Sequence, residues 1–186
     1  MVSYKEILAF HGHNCSGLAM GYRMTVAALE LLKEVHAEDE ELFAITENDA
    51  CGVDALQCLT GCTFGKGNLF FRDFGKHVFT LFSRKSGRAV RVYFHGLGIP
   101  EKVGQDRTEL TDWILSAPVE DILSLQEVVV EDPGKAVSRD SQICSFCGER
   151  VMVSRTRVVN GKTFCIPCSR QVSAHWSGFC KSHGDF

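Results

Sequence analysis

Residues 68–95, NLFFRDFGKHVFTLFSRKSGRAVRVYFH, decide the fold. Three runs rich in Phe, Val and Tyr, Asn68 to Asp73, His77 to Arg84 and Arg88 to His95, are separated by Gly75-Lys76 and Ser86-Gly87, lengths that suit tight hairpins. In the last run Val90, Val92 and Phe94 alternate with Arg91, Tyr93 and His95, so one face of the strand is expected to be buried and the other partly wet. Three consecutive strands of this kind describe an antiparallel sheet with one side to be covered.

The cover lies upstream. Asn14 is placed to cap a helix whose apolar positions Leu18, Tyr22, Val26, Leu29 and Leu32 recur at helical spacing, running to about His36. Leu42 to Thr46 reads as a short strand, and Cys51 to Thr60 as a second helix that stops at Gly61. Only this strand-helix-strand passage is long enough to join parallel neighbours. Downstream, Asp106 with Glu109 three residues on resembles a capping box, Ser116 and Pro118 open a short helix, and Glu127 to Val130 reads as a strand. The order helix, strand, helix, three strands gives an α+β layer architecture with helices on one face of a small sheet.

A composition change ends this body. Asp132-Pro133-Gly134 through Asp140 reads as a linker, which divides the chain into a core domain (residues 1–131), a linker (132–140) and a C-terminal module (141–186). The module carries Cys144-Ser145-Phe146-Cys147 and Cys165-Ile166-Pro167-Cys168, two knuckles 17 residues apart, the spacing by which four thiolates close around one tetrahedral zinc. Asn160-Gly161 predicts a hairpin spanning the knuckles. So short a run buries too little apolar surface to fold unaided, so structural zinc is expected to supply most of its folding free energy. Beyond it His175, Cys180 and His183 fall within nine residues, as a second ligand set or as a plain tail.

Charge and cysteine usage narrow the function classes. Residues 140–186 hold six Lys/Arg against three acids while the rest is acidic, an excess too small to define a phosphate-binding surface, so nucleic acid is disfavoured as a partner. No apolar run approaches the roughly 20 residues that span a bilayer, which argues against a membrane. The N-terminus lacks a basic region followed by an apolar signal core, so the expected location is cytoplasmic, with the nine cysteines as reduced thiols or metal ligands.

The second chemical signal is His11-Gly12-His13-Asn14-Cys15. In an extended run His11, His13 and Cys15 point to one side, and imidazole with thiolate suits zinc and other borderline metals. Cys15 would enter the helix's first turn, where free N–H groups favour thiolate. Cys51 also begins a helix, and Cys51, Asp54, Cys58 and Cys62 fall at helical spacings on one face. If the two helix starts meet, Cys15 and Cys51 can share a metal, form a redox pair, or act as nucleophile and resolving thiol; the alternative is a core stripe that contains sulfur. Gly65-Lys66-Gly67-Asn68 is a loop able to hold a carboxylate or phosphate, without P-loop spacing.

With these residues in view, the chain resembles the formylmethanofuran dehydrogenase E-subunit family. The likeness rests on Phe10 to Gly17 followed by a small-residue helix, and on Cys51-Gly52-Val53-Asp54-Ala55-Leu56-Gln57 running into Thr60 to Leu69. It implies an α-β-α-β-β-β core with a mixed four-stranded sheet, a zinc module at the C-terminus, and a tendency to form homodimers. It also implies a metal-holding cleft at His11, His13, Cys15, Cys51, Asp54, Cys62 and Lys66. Ser16 stands where members usually carry proline. Nothing resembles a pterin-binding domain or a ferredoxin run, so the chain alone is not expected to perform the reaction in the family's name.

The leading expectation is a metalloprotein with a structural four-cysteine zinc and a partly open core site, holding a second transition metal, for a small anionic or redox-active ligand. There Cys15 or Cys51 is the reactive sulfur, His11 and His13 are ligands or a proton carrier, Asp54 orients, Cys62 joins the ligands and Lys66 steadies ligand charge. The alternatives are an accessory component of a molybdenum- or tungsten-dependent oxidoreductase complex, and a zinc-ribbon regulator binding nucleic acid.

Overall fold

The computed structural model of the chain describes residues 2–172. They divide into two compact units that meet between Ala136 and Val137.

The first unit opens with a helix that the sequence pattern did not lead us to expect. Helix α1 spans Tyr4–His11, and its capping box is closed by Ser3 and Glu6: Glu6 N donates to Ser3 Oγ, and Ser3 N donates to Glu6 Oε2 at 2.7 Å. It stops at Gly12, whose φ of +94° is open to a residue without a Cβ. Helix α2 (Ser16–Leu32) follows, capped by Cys15 rather than by Asn14. Strand β1 (Leu42–Thr46), helix α3 (Gly52–Thr60) and strand β2 (Leu69–Phe71) then form the parallel crossover, with Ala44 opposite Leu69.

Strands β3 (Val78–Ser83) and β4 (Ala89–Phe94) form the expected hairpin about Ser86-Gly87. The hairpin expected about Gly75-Lys76 does not form, because β1 lies between β2 and β3. All five residues of β1 are buried. Leu42 and Ala44 enter the main apolar cluster, while Phe43 and Ile45 enter a second one with Phe82 and Ala89. A strand apolar on both faces is satisfied at the centre of a sheet, not at its edge, and that demand overrides pairing between sequence neighbours. Strand β5 (Leu123–Val128) adds a fifth member, antiparallel to β4 and starting four residues before the predicted strand, so the mixed sheet runs β2-β1-β3-β4-β5.

Helices α2 and α3 cover the first face. Leu18, Met24 and Leu29 of α2 and Leu56 and Leu59 of α3 pack with Phe79, Leu81, Val90 and Val92 of the sheet, each such burial contributing roughly 1.5–3 kcal/mol. Helix α4 (Arg107–Ser116) is capped by Asp106, which accepts from the N–H of Thr108 and Glu109, and the one-turn α5 (Val119–Ile122) leads into β5. Arg23 of α2 holds the end of α4 by donating to the carbonyls of Ile114, Leu115 and Ala117. The chain after β5 stays tied to this unit: Arg84 pairs with Asp132 and donates to the Gly134 carbonyl, and Ala136 N donates to Glu40 Oε2.

The second unit holds two hairpins where one was expected. β6 (Ser141–Ile143) and β7 (Arg150–Met152) flank the first cysteine knuckle. β8 (Thr156–Val159) and β9 (Lys162–Cys165) turn at Asn160-Gly161, both with positive φ, and residues 166–172 are helical. Its apolar centre is small, with Cys144, Phe164 and Cys168 as the buried members. Among the described residues no helix is long and apolar enough to cross a membrane.

Candidate metal centre

Two helix starts and one helix end meet in the first unit. His11 is the last residue of α1, Cys15 caps α2 and Cys51 occupies the N-cap position of α3 without a side-chain cap bond. What brings them together is a glycine contact between α2 and α3. A Cβ built on Gly21 would lie 2.2 Å from the Gly52 carbonyl oxygen, and one on Gly17 would lie 3.2 Å from Cys51 Cβ. Only residues without side chains allow backbones to approach this closely. This contact sets the two N-cap cysteines side by side, and neither the hydrophobic period nor the cysteine spacing announces it. Its signal is Gly17-x-x-x-Gly21 on one helix facing Gly52 on the other.

The ligand atoms of His11, His13, Cys15 and Cys51 all lie within 4.8 Å of one another. Tetrahedral coordination with metal–sulfur bonds of about 2.3 Å and metal–nitrogen bonds of about 2.0 Å calls for ligand atoms roughly 3.3–3.8 Å apart, so small side-chain adjustments bring four donors onto one ion. His11 Nδ1 is 2.7 Å from Asp54 Oδ2 and His11 Nε2 is 3.7 Å from Cys15 Sγ. The carboxylate thus holds one ring nitrogen and turns the other toward sulfur, the arrangement by which an outer carboxylate fixes the tautomer of a metal-bound imidazole. The His11 side chain is only 9% exposed, whereas Asp54 remains 37% exposed. Gln57 Nε2 donates to the second oxygen, Asp54 Oδ1, at 3.4 Å. Cys15 Sγ accepts from Leu18 N at 3.4 Å, and the Cys51 thiol is pushed up first by burial and then by its hydrogen bond with Cys15.

His11, Cys51 and Asp54 also form one wall of a cavity of about 450 Å³, with Phe64 and Phe71 among its other residues. A second cleft of about 310 Å³ touches the other two donors, His13 and Cys15, and includes Arg107. A group bound at the four donors would be reachable from both sides.

Two expected members do not join. Cys62 is fully buried within the main apolar cluster, and burial pushes its thiol up to about 11, so it behaves as a small core hydrophobe. Its place after Gly61 turns it away from the start of α3, because the helical face it would share ends at that left-handed residue. Lys66 borders neither cavity, and its Nζ reaches toward the Glu38 carbonyl at 3.5 Å. Asp54 is brought to His11. His11 and His13 converge although His11 ends a helix rather than lying in an extended run; their rings are 4.5 Å apart. His175, Cys180 and His183 lie outside the described residues.

The second unit brings its four sulfurs together by local structure alone. The Sγ atoms of Cys144, Cys147, Cys165 and Cys168 lie within 4.8 Å of one another, close to the roughly 3.8 Å edge of a zinc–thiolate tetrahedron. Cys165 N donates to Cys144 Sγ at 3.3 Å. Backbone N–H groups of Cys147 and Cys165 bring the Cys144 thiol down to about 6, while hydrogen bonding with Cys165 raises Cys168 to about 12. Four sulfurs crowded this closely compete for protons, and a dication would relieve that competition. The donor set fits zinc.

Residues 10–128 match the family model described as FmdE, molybdenum formylmethanofuran dehydrogenase operon. The chain belongs to this family. Residues 139–171 match the prokaryotic dksA/traR C4-type zinc finger, so this FmdE-family chain carries a C4 finger after its core. A crystal structure of a tungsten formylmethanofuran dehydrogenase E-subunit (FmdE)-like protein from Syntrophus aciditrophicus is similar over 90% of this chain and 92% of that one, with a TM-score of 0.69 and 28% identity. A probable S-adenosyl-L-methionine-binding protein of Archaeoglobus fulgidus is 29% identical over 86% of this chain, which spans 50% of that relative's length.

Proposed function

We propose that this FmdE-family chain is a two-centre metalloprotein. Cys144, Cys147, Cys165 and Cys168 hold a structural zinc. His11, His13, Cys15 and Cys51 hold a second transition-metal ion, most simply zinc, at a site that a small ligand reaches through the adjoining cavities. The convergence of four donor atoms within 4.8 Å, with Asp54 behind His11, carries this reading. Bound there, the metal would supply Lewis acidity toward a ligand entering the cavity once one of the four donors yields its place or the coordination expands to five. The chain's own part is to orient His11 through Asp54 and to keep Cys15 and Cys51 paired.

Elemental analysis of the purified protein tests this. Wild type should carry two metals per chain; Cys144→Ser should lose one and Cys15→Ser the other. A single metal in wild type, unaffected by Cys15→Ser, would remove the core centre.

A second reading follows from Cys15, His11 and Asp54 taken alone. Thiol, imidazole and carboxylate in series are the components of an activated nucleophile. If the core holds no metal and alkylation at neutral pH singles out Cys15, with its rate cut by Asp54→Asn, the thiolate reading replaces the metal one. The family description also supports a role beside a molybdenum- or tungsten-dependent enzyme, which a pull-down from native extract addresses. S-adenosyl-L-methionine, named for a relative twice as long, belongs in the same set of trial ligands.

A further inference from the structure

The cavity beside the core centre has a charge and a surface of its own. Two carboxylates, Asp49 and Asp54, stand among its residues, and among the described residues no lysine or arginine does. Thr46, Asn48 and Gln57 each already spend a side-chain donor within the fold. Thr46 Oγ1 donates to the Asn48 carbonyl, Asn48 Nδ2 donates to the Lys76 carbonyl at 2.6 Å, and Gln57 donates to Asp54. At the start of α3, Val53 N and Asp54 N already donate to Ala50 O and Cys51 O, and Asp54 itself answers the positive end of the helix. An anion entering here would meet two carboxylates and, of the residues that line the cavity, no lysine or arginine. By contrast Phe64 and Phe71 are 60% and 43% exposed, large rings left open at the cavity. Exposed aromatic faces beside carboxylates suit a flat or cationic ligand, by stacking, cation–π attraction and direct charge pairing.

We infer that this cavity takes a planar ligand, neutral or positively charged, seated against Phe64 and Phe71 with its polar edge toward Asp49 and Asp54. The inference rests on the proposed core centre only for what lies at the cavity's wall; the ligand's charge class follows from the cavity itself. Of the small anionic or redox-active ligand expected from the sequence, it disfavours the anionic form, because Lys66 does not line the cavity.

Three probes of nearly one shape isolate charge: 1-methylnicotinamide, methylated at the ring nitrogen, as cation, nicotinamide as the neutral form and nicotinate as anion. In calorimetric titration of the purified full chain at neutral pH, 1-methylnicotinamide should bind at least about tenfold more tightly than nicotinate, with nicotinamide between them, as expected of one cation–π contact plus carboxylates. Phe71→Ala should weaken the cation several-fold with metal content unchanged, and Asp49→Asn should narrow the gap between cation and anion. Nicotinate binding as tightly as the cation, or none of the three binding at millimolar concentration, would overturn the inference. Metal content measured on the same samples keeps the two proposals apart. A core without metal that still prefers the cation retires the metal centre alone, whereas a loaded core that prefers nicotinate retires only the ligand class.

Discussion

The two candidate metal centres are assembled in opposite ways. In the C-terminal finger the donors come from two tight knuckles within 25 residues, and the apolar centre around them is three buried side chains. In the core the donors come from the end of one helix and the starts of two others, and the surrounding cluster holds the sheet and helices together with or without an ion. On the proposed reading, the finger would owe its fold to its metal, whereas the core would owe its candidate metal site to its fold. This difference predicts where metal removal is felt as unfolding and where it is felt only as lost binding.

The largest expected effect breaks the comparison if it fails. Cys168→Ser should remove roughly the 10 kcal/mol or more that zinc supplies to such a module, unfolding residues 137–172. Hydrogen exchange should then show lost protection in β6–β9 and unchanged protection in β1–β5. Equal loss in both units would mean that the core also depends on the finger.

Next in size is the glycine contact. Gly21→Ala places a Cβ 2.2 Å from the Gly52 carbonyl oxygen, so α2 and α3 must separate, at a cost of about 3 kcal/mol in urea unfolding. The same shift should part Cys15 from Cys51 and weaken core metal binding, with the finger metal retained. Gly17→Ala, at 3.2 Å from Cys51 Cβ, should follow the same direction with a smaller effect.

Asp54→Asn sharpens the comparison without touching a ligand. Losing the carboxylate behind His11 should lower core metal affinity about 10- to 100-fold in a competition titration, with little change in unfolding and none in the finger. The smallest effect is a control: Asp106→Ala removes the cap of α4 and should cost about 1 kcal/mol of core stability while both metals stay.

The finger is readable from spacing because all its determinants are local: C-x-x-C twice, a turn at Asn160-Gly161, and 17 residues between. The core elements are largely readable too, since α2, β1, α3, β3 and β4 carry their periods openly. The departures share one cause, a competition between local signals that distant packing resolves. Helix α1 has its own signal in the Ser3 and Glu6 capping box, but the alternation of His11, His13 and Cys15 fits an extended run equally well. The neighbour of β2 differs from the expected one because strand pairing depends on which strand needs both faces covered, a property of the whole sheet. Cys62 matches the helical spacing of the other thiols, yet one left-handed glycine before it redirects the chain into the core.

By itself the sequence determined the finger's four ligands, the order of most core elements and the kind of chemistry that His11, His13, Cys15, Cys51 and Asp54 carry, because residue type, spacing and turn chemistry act over short range. Only the tertiary structure decided that Cys15 meets Cys51, that Cys62 and Lys66 stand apart, and that the adjoining cavity is aromatic and acidic. Those outcomes depend on how closely two helix backbones approach at Gly21 and Gly52, and that distance is set by packing between segments some thirty residues apart.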